Sequence, residues 1–257
     1  MVPVTQDRKA KICALLKSIE TGDPAPIAVV NQDKHIQHNP QTHEGSEGLE
    51  TLFVRPSKTS PRVNIVRAFE DGDYVFAHTE YDFTKSNIGF EVFRFEGDHV
   101  VEHWDNIQQR HEPTPSGHNM IDGPTEATHH ALNGTNRQIV RNYVEDILVR
   151  RHLEKLENYI SGSGFIQHSP KLTSGSGALR EALEARFERG FATEYNQLHR
   201  VLAEGDFVLT VSEGARNESH TSFYDLYRLS EGKLVEHWDT VEAVTPRSEW
   251  KNDNGKF

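Results

Sequence analysis

Cysteine is almost absent: the chain of 257 residues has one, Cys13. A single thiol excludes an intrachain disulfide and any zinc site built on several cysteines. Cys13 lies in an amphipathic helical pattern, a place for a packing residue, and no G-x-S-x-G motif offers another nucleophile. Positive charge is also short, with 28 Lys and Arg against 39 Asp and Glu and a formal net charge of −11. That balance disfavours nucleic acid and anionic membrane surfaces, because phosphate binding needs clustered positive charge. No apolar run approaches the roughly 18 residues of a membrane span. The opening MVPVTQDRKAK lacks the apolar stretch of a secretory signal, so a cytoplasmic location is expected. Without G-x-G-x-x-G or a phosphate loop, no nucleotide cofactor is expected. The 15 histidines invite a metal, but H-E-x-x-H and C-x-x-C are missing. Pro40 opposes a helix that would align His35 with His38, and His129 and His130 are neighbours that point different ways. No metal and no cofactor are expected.

What the chain does contain is a repeat of itself. Ile36-Gln37-His38-Asn39-Pro40 recurs as Ile166-Gln167-His168-Ser169-Pro170. Val101-Glu102-His103-Trp104-Asp105 recurs unchanged as Val235-Glu236-His237-Trp238-Asp239. Between them, Glu70-Asp71-Gly72-Asp73 matches Ala203-Glu204-Gly205-Asp206. The spacing between matched blocks grows in chain order, as loop insertions make it do. Each copy is long enough to bury its own core, so the expectation is two homologous domains, 1–113 and 136–257. The Pro-, Gly- and Asn-rich 114–135 reads as a linker or tail. Within it, Pro115 to Asp122 takes the place that Pro246 to Phe257 takes after the second copy.

In each copy helical periodicity comes first. Ile12, Leu15, Leu16 and Ile19 form one stripe over 8–21, and Ile139, Tyr143, Val144, Ile147 and Leu148 another over 137–150. Short helices are expected near 24–31 and 152–160, and further helices over 46–54 and 177–188. Strands follow at 62–70, 73–83, 87–96 and 99–109, then at 194–204, 206–215, 219–230 and 233–243, with turn residues between them. Helices followed by an antiparallel meander make an α+β fold.

These blocks resemble the SnoaL-like polyketide cyclase group of the NTF2-like superfamily, and within it the branch described as aldol-condensation-catalysing. The resemblance is carried by I-Q-H-N-P at 36–40, A-F-E-D-G-D at 68–73, E-V-F-R-F at 91–95, V-E-H-W-D at 101–105 and G-H-N-M-I-D-G-P-T at 117–125. Residues 166–170, 203–206, 225–229 and 235–239 repeat it. It implies two tandem cone-shaped α+β domains, each with N-terminal helices packed on a curved antiparallel sheet around a pocket. It also implies an internal pseudo-dimer that could pair again as a homo-oligomer, and an acid–base role for Asp105 and Asp239 without metal or cofactor. Proton abstraction beside a carbonyl fits that role, and the enolate could attack a second carbonyl.

The period of two puts Val101, His103, Asp105 and Ile107 on one strand face, and Glu91, Phe93 and Phe95 on one face of the strand before it. A turn over 96–98 places Glu91 opposite His103, and likewise Asp225 opposite His237. A two-residue turn brings Trp104 opposite Glu91 instead. The candidate catalytic residues are therefore Asp105, His38, Glu91 and His103, with Asp239, His168, Asp225 and His237 in the second copy. An apolar surround would raise a carboxyl pKa towards neutrality, as a general base needs. His38 and His168 could stabilise an oxyanion, or tie a loop end to backbone carbonyls. His78, Trp104, Phe93, Trp238 and Tyr227 are candidate pocket residues, although the tryptophans read equally well as packing. His78 has Val211 in its place in the second copy, so the first copy carries the fuller set. The expected activity is that of a lyase, isomerase or cyclase on a small apolar carbonyl compound. The alternatives are a non-catalytic small-molecule binding protein using the same pocket, and an assembly protein acting through its sheet.

Overall fold

A computed structural model describes residues 8–45, 48, 60–188 and 193–257. The chain divides into two compact units, residues 1–109 with 245–257 and residues 110–244. This differs from the expected domains at both tails: 110–135 groups with the second unit and 245–257 with the first. The hydrogen bonds within each unit explain the assignment. In the first, Lys251 N donates to Pro40 O (2.8 Å), Asn252 Nδ2 to Asn39 O (2.7 Å) and Asn254 Nδ2 to Gln37 O (3.0 Å).

In the first unit α1 (Arg8–Thr21) is followed by a 3-10 turn, Ala25–Val29. The strands are β1 (Ile36–Gln37), β2 (Arg62–Asp71), β3 (Tyr74–Asp82), β4 (Ser86–Glu96) and β5 (His99–Gln109). The sheet order is β1-β5-β4-β3-β2, antiparallel except where β1 runs parallel to β5. The helix expected over 46–54 lies outside the described residues. Ile12, Leu15 and Leu16 of α1 pack with Val63, Val75, Ala77, Tyr81, Phe93 and Phe95, so that side of the sheet faces the helix.

The second unit repeats the plan. Helix α2 (Asn133–Tyr143) passes directly into a π-helical turn, Val144–Val149, where one continuous helix was expected. The wider turn keeps Val144, Ile147 and Leu148 buried together with Val140 and Tyr143. A 3-10 turn, Leu153–Asn158, precedes β6 (Ile166–Gln167) and α3 (Ser176–Glu188). Strands β7 (Thr193–Glu204), β8 (Phe207–Arg216), β9 (Ser219–Ser230) and β10 (Lys233–Ala243) complete a sheet of order β6-β10-β9-β8-β7. The α+β expectation holds in both units. Among the described residues no helix is long and apolar enough to cross a membrane.

The hairpins settle the register. Glu96 pairs with His99, so the turn has two residues, and a bulge between Arg94 and Phe95 then shifts the ladder by one. Glu91 therefore lies opposite Asp105, where His103 was expected, and Phe93 lies opposite His103. A bulge between Leu234 and Glu236 does the same in the second unit, setting Asp225 opposite Asp239 and Tyr227 opposite His237. The extra residue in each hairpin brings two carboxylates side by side.

Gly89 makes room for this arrangement. A Cβ there would stand 2.8 Å from Tyr81 Cε2 and from Thr79 Oγ1, and 3.2 Å from Glu91 Oε1. Gly89→Ala should push the Tyr81 ring off Glu91 and destabilise the fold by about 1–3 kcal/mol, the usual cost of overpacking. Urea unfolding of the variant checks this.

Candidate active site

The helix-facing side of β3, β4 and β5 carries a continuous polar chain. Tyr81 Oη donates to Glu91 Oε1 (2.6 Å), and His103 Nε2 donates to Glu91 Oε2 (2.8 Å). The Gln37 side-chain amide meets His103 Nδ1, with its Nε2 at 3.1 Å and its Oε1 at 3.2 Å. Beside them Asp105 accepts from Asn39 Nδ2 (2.7 Å) and Lys256 Nζ (3.3 Å). Tyr81, Glu91, His103, Asp105 and Lys256 are all buried.

Period-two placement accounts for this grouping. Ala77, Glu91 and Asp105 form one cross-strand row, and Val75, Phe93 and His103 the next. Gln37 and Asn39 flank His38 in an extended segment before Pro40, so both turn towards the row while His38 turns away. Phe93, expected in the pocket, stacks on His103 with ring centroids 4.4 Å apart.

Electrostatics here reverse one expectation. Burial works to raise the Asp105 carboxyl, but the charges of Lys256 and His103 and the hydrogen bonds from Asn39 and Lys256 outweigh it. The carboxyl is held below the ordinary range instead of being raised towards neutrality. Asp105 is thus a carboxylate at neutral pH. Tyr81 moves the other way: burial, then the charge of Glu91 and the hydrogen bond to it, push the phenol well above its usual value, so it stays a donor. Glu91, His103 and Asp105 also present one potential ligand atom each within 4.8 Å of one another, a donor set that suits a metal ion. The Lys256 ammonium already places a positive charge at Asp105.

The second unit holds a parallel but altered set. His237 Nε2 meets Asp225 Oδ1 (2.9 Å), and its Nδ1 meets Gln167 Oε1 (2.8 Å). Ser169 Oγ donates to Asp239 Oδ2 (3.0 Å), standing where Asn39 stands in the first unit. The phenol comes from a different strand: Tyr195 of β7 donates to Asp225 (3.2 Å), whereas Tyr81 belongs to β3. Tyr227, another expected pocket residue, stacks on His237 at 4.7 Å.

His38 and His168 stand apart from these groups, on the opposite face. His38 Nε2 donates to Glu102 Oε1 (2.9 Å) and its Nδ1 to Gly255 O (3.0 Å), and the ring stacks on Trp104 at 4.5 Å. Glu102 is held in turn by Arg94 Nε (2.5 Å). His168 repeats this with Glu236 (2.8 Å), Asn119 O (2.6 Å) and Trp238 (4.6 Å), and Arg228 Nε holds Glu236 (2.7 Å). Both ring nitrogens face acceptors, and Nδ1 fastens a tail carbonyl in each unit. Of the two roles considered for these histidines, the geometry matches the loop tie. Trp104 and Trp238 are the floors of these ties and lie away from Asp105 and Asp239. His78 is also on the far face, packed on Phe90 at 4.6 Å.

Comparison with known protein families and with curated proteins returns no match. Three of the solved structures that resemble the chain each cover less than half of it. One is an LEH-like epoxide hydrolase from M. tuberculosis, 14% identical over 43% of this chain and 84% of its own, with a TM-score of 0.35. Another is an NTF2-like protein of unknown function from Cytophaga hutchinsonii, 16% identical over 47% of this chain and 95% of its own, with a TM-score of 0.35. A third is an NTF2-like protein of unknown function from Burkholderia xenovorans, 14% identical over 48% and 99%, with a TM-score of 0.38. These likenesses concern the fold and assign no chemistry.

Sequence reasoning missed Gln37, Asn39, Tyr81 and Lys256. Alternation around His38 signals the first two, and Tyr81 follows from the same rule counted along β3. Lys256 has no local signal, because only the path of the tail brings it to Asp105.

His35 supplies a pH prediction. Burial first, then the nearby His103 and His38, lower its pKa from 6.5 to about 4. Between those values the unfolded chain binds a proton that the folded chain does not, so stability falls as pH drops from 6.5 towards 4. Urea midpoints measured across that window should decline, and His35→Gln should flatten the decline.

Proposed function

We propose that the first unit is a cofactor-independent acid–base site for a small carbonyl compound, with Asp105 as the base. The carrying observation is a buried, ionised Asp105 beside the Tyr81–Glu91–His103 chain on the helix-facing side. In this mechanism Asp105 takes the proton from the carbon next to a carbonyl. The C–H electron pair moves towards the carbonyl oxygen and leaves an enolate. Protonated Asp105 then returns the proton at another position, giving isomerisation, or the enolate carbon attacks a second carbonyl carbon and Asp105 gives the proton to the alkoxide formed, giving an aldol-type product. Glu91, clamped by Tyr81, orients His103 next to Asp105. This activity agrees with the resemblance to SnoaL-like cyclases in the I-Q-H-N-P and V-E-H-W-D blocks. The second unit keeps the carboxylate pair with a changed set of partners.

The test is hydrogen exchange. Small ketones and β-dicarbonyl compounds are incubated with the protein in D2O, and the α-proton signals are followed by NMR. Enzyme-dependent loss of an α-proton signal is expected. Binding without exchange in any compound would leave a small-molecule binding protein in place of an enzyme.

A further inference from the structure

A carboxylate removes an α-proton effectively only if the enolate oxygen is well stabilised. His38, expected to do this, is on the wrong face. The cation that does stand beside the base comes from the tail. Lys256 Nζ lies 3.3 Å from Asp105 Oδ1, and the relative exposures of the two side chains are only 2% and 8%. A base and a cation so spaced address the two atoms whose charge changes when an enolate forms. Burial strengthens the effect, since a charge acts more strongly where water is excluded.

The second unit provides an internal comparison. The same clasp fixes both tails: His38 Nδ1 donates to Gly255 O, and His168 Nδ1 to Asn119 O. The residue after the clasped carbonyl is Lys256 in one tail and Met120 in the other. Met120 is buried and carries no charge, and its sulfur accepts from His111 N at 3.4 Å. The two copies thus differ by a full positive charge at equivalent tail positions.

We propose that Lys256 is the oxyanion-binding group of the first unit, and that this unit therefore selects ligands that are, or become, enolate-like anions. The inference rests on the reaction proposed above, but its test does not need turnover. The probe is 4-nitrophenol, an enolate mimic whose visible band reports its ionisation. Wild-type protein is expected to bind it as the phenolate and to lower its apparent pKa. Lys256→Met, which installs the residue found at position 120, should weaken phenolate binding by about tenfold or more, the scale of one charged hydrogen bond. Lys256→Arg, which keeps the charge, should retain most of the binding. Lys256→Gln serves if the Met variant does not fold, and thermal unfolding of each variant checks the fold.

Phenolate binding unchanged in a folded Lys256→Met or Lys256→Gln protein overturns the inference. So does a wild-type protein that takes only the neutral phenol, or none. The two failures are separable. Lys256-dependent phenolate binding without α-proton exchange keeps the anion site and removes the enzyme. Exchange with Lys256-independent phenolate binding keeps the enzyme and removes Lys256.

Discussion

Asp105→Asn should abolish α-proton exchange and leave the fold in place. The substitution keeps the shape and the contact with Asn39 but removes the proton acceptor. Loss of a general base costs about 10²–10⁴-fold in rate. The fall should appear in kcat, because the amide still fills the site, with KM changing less. The equivalent change in the second unit, Asp239→Asn, should leave most of the rate intact. There the neighbouring side chain is Ser169 and the tail brings Met120 in place of Lys256. Equal losses in the two variants would mean that both units react. Unchanged exchange in Asp105→Asn would remove Asp105 from the chemistry. Circular dichroism and urea unfolding of both variants separate a rate effect from a folding one.

Trp104→Ala should act on stability and barely on substrate affinity. Trp104 is 1% exposed, and His38 stacks on it while binding Glu102 and Gly255 O. Deleting a buried aromatic ring of this kind costs about 3–5 kcal/mol. The loss should also loosen the His38 clasp on the tail. Trp238→Ala should cost a similar amount, because His168 stacks on it in the same way. The measurement is the urea midpoint together with KM for any exchanged compound. A large rise in KM with little change in stability would return Trp104 to the substrate site.

Most of the architecture was legible because it depends on local signals. The repeat, the amphipathic α1 and the turn residues Glu70-Asp71-Gly72-Asp73 mark helices and hairpins through periodicity and backbone preference. Glu91, His103 and Asp105 were legible as one group for the same reason, since strand alternation fixes the face. Their register was not. A bulge depends on how the pleats of two strands fit, and nothing in Val100-Val101-Glu102 announces one. His38 misled because it stands out chemically, while the residues that meet Asp105 and His103 are its plainer neighbours Gln37 and Asn39. Lys256 and the grouping of 245–257 with the first unit were out of reach, being set by the path of the chain after β10.

The most direct test of the central claim is a crystal structure of the protein soaked with a small enolisable carbonyl compound or its stable enol mimic. The ligand is expected on the helix-facing side of the first sheet, with its oxygen within hydrogen-bond distance of Lys256 Nζ and its α-carbon against Asp105. A ligand bound elsewhere, with the Asp105–Lys256 pair intact and closed to it, would remove Asp105 and Lys256 from the chemistry and make the Glu91–His103–Asp105 group a polar element of the core.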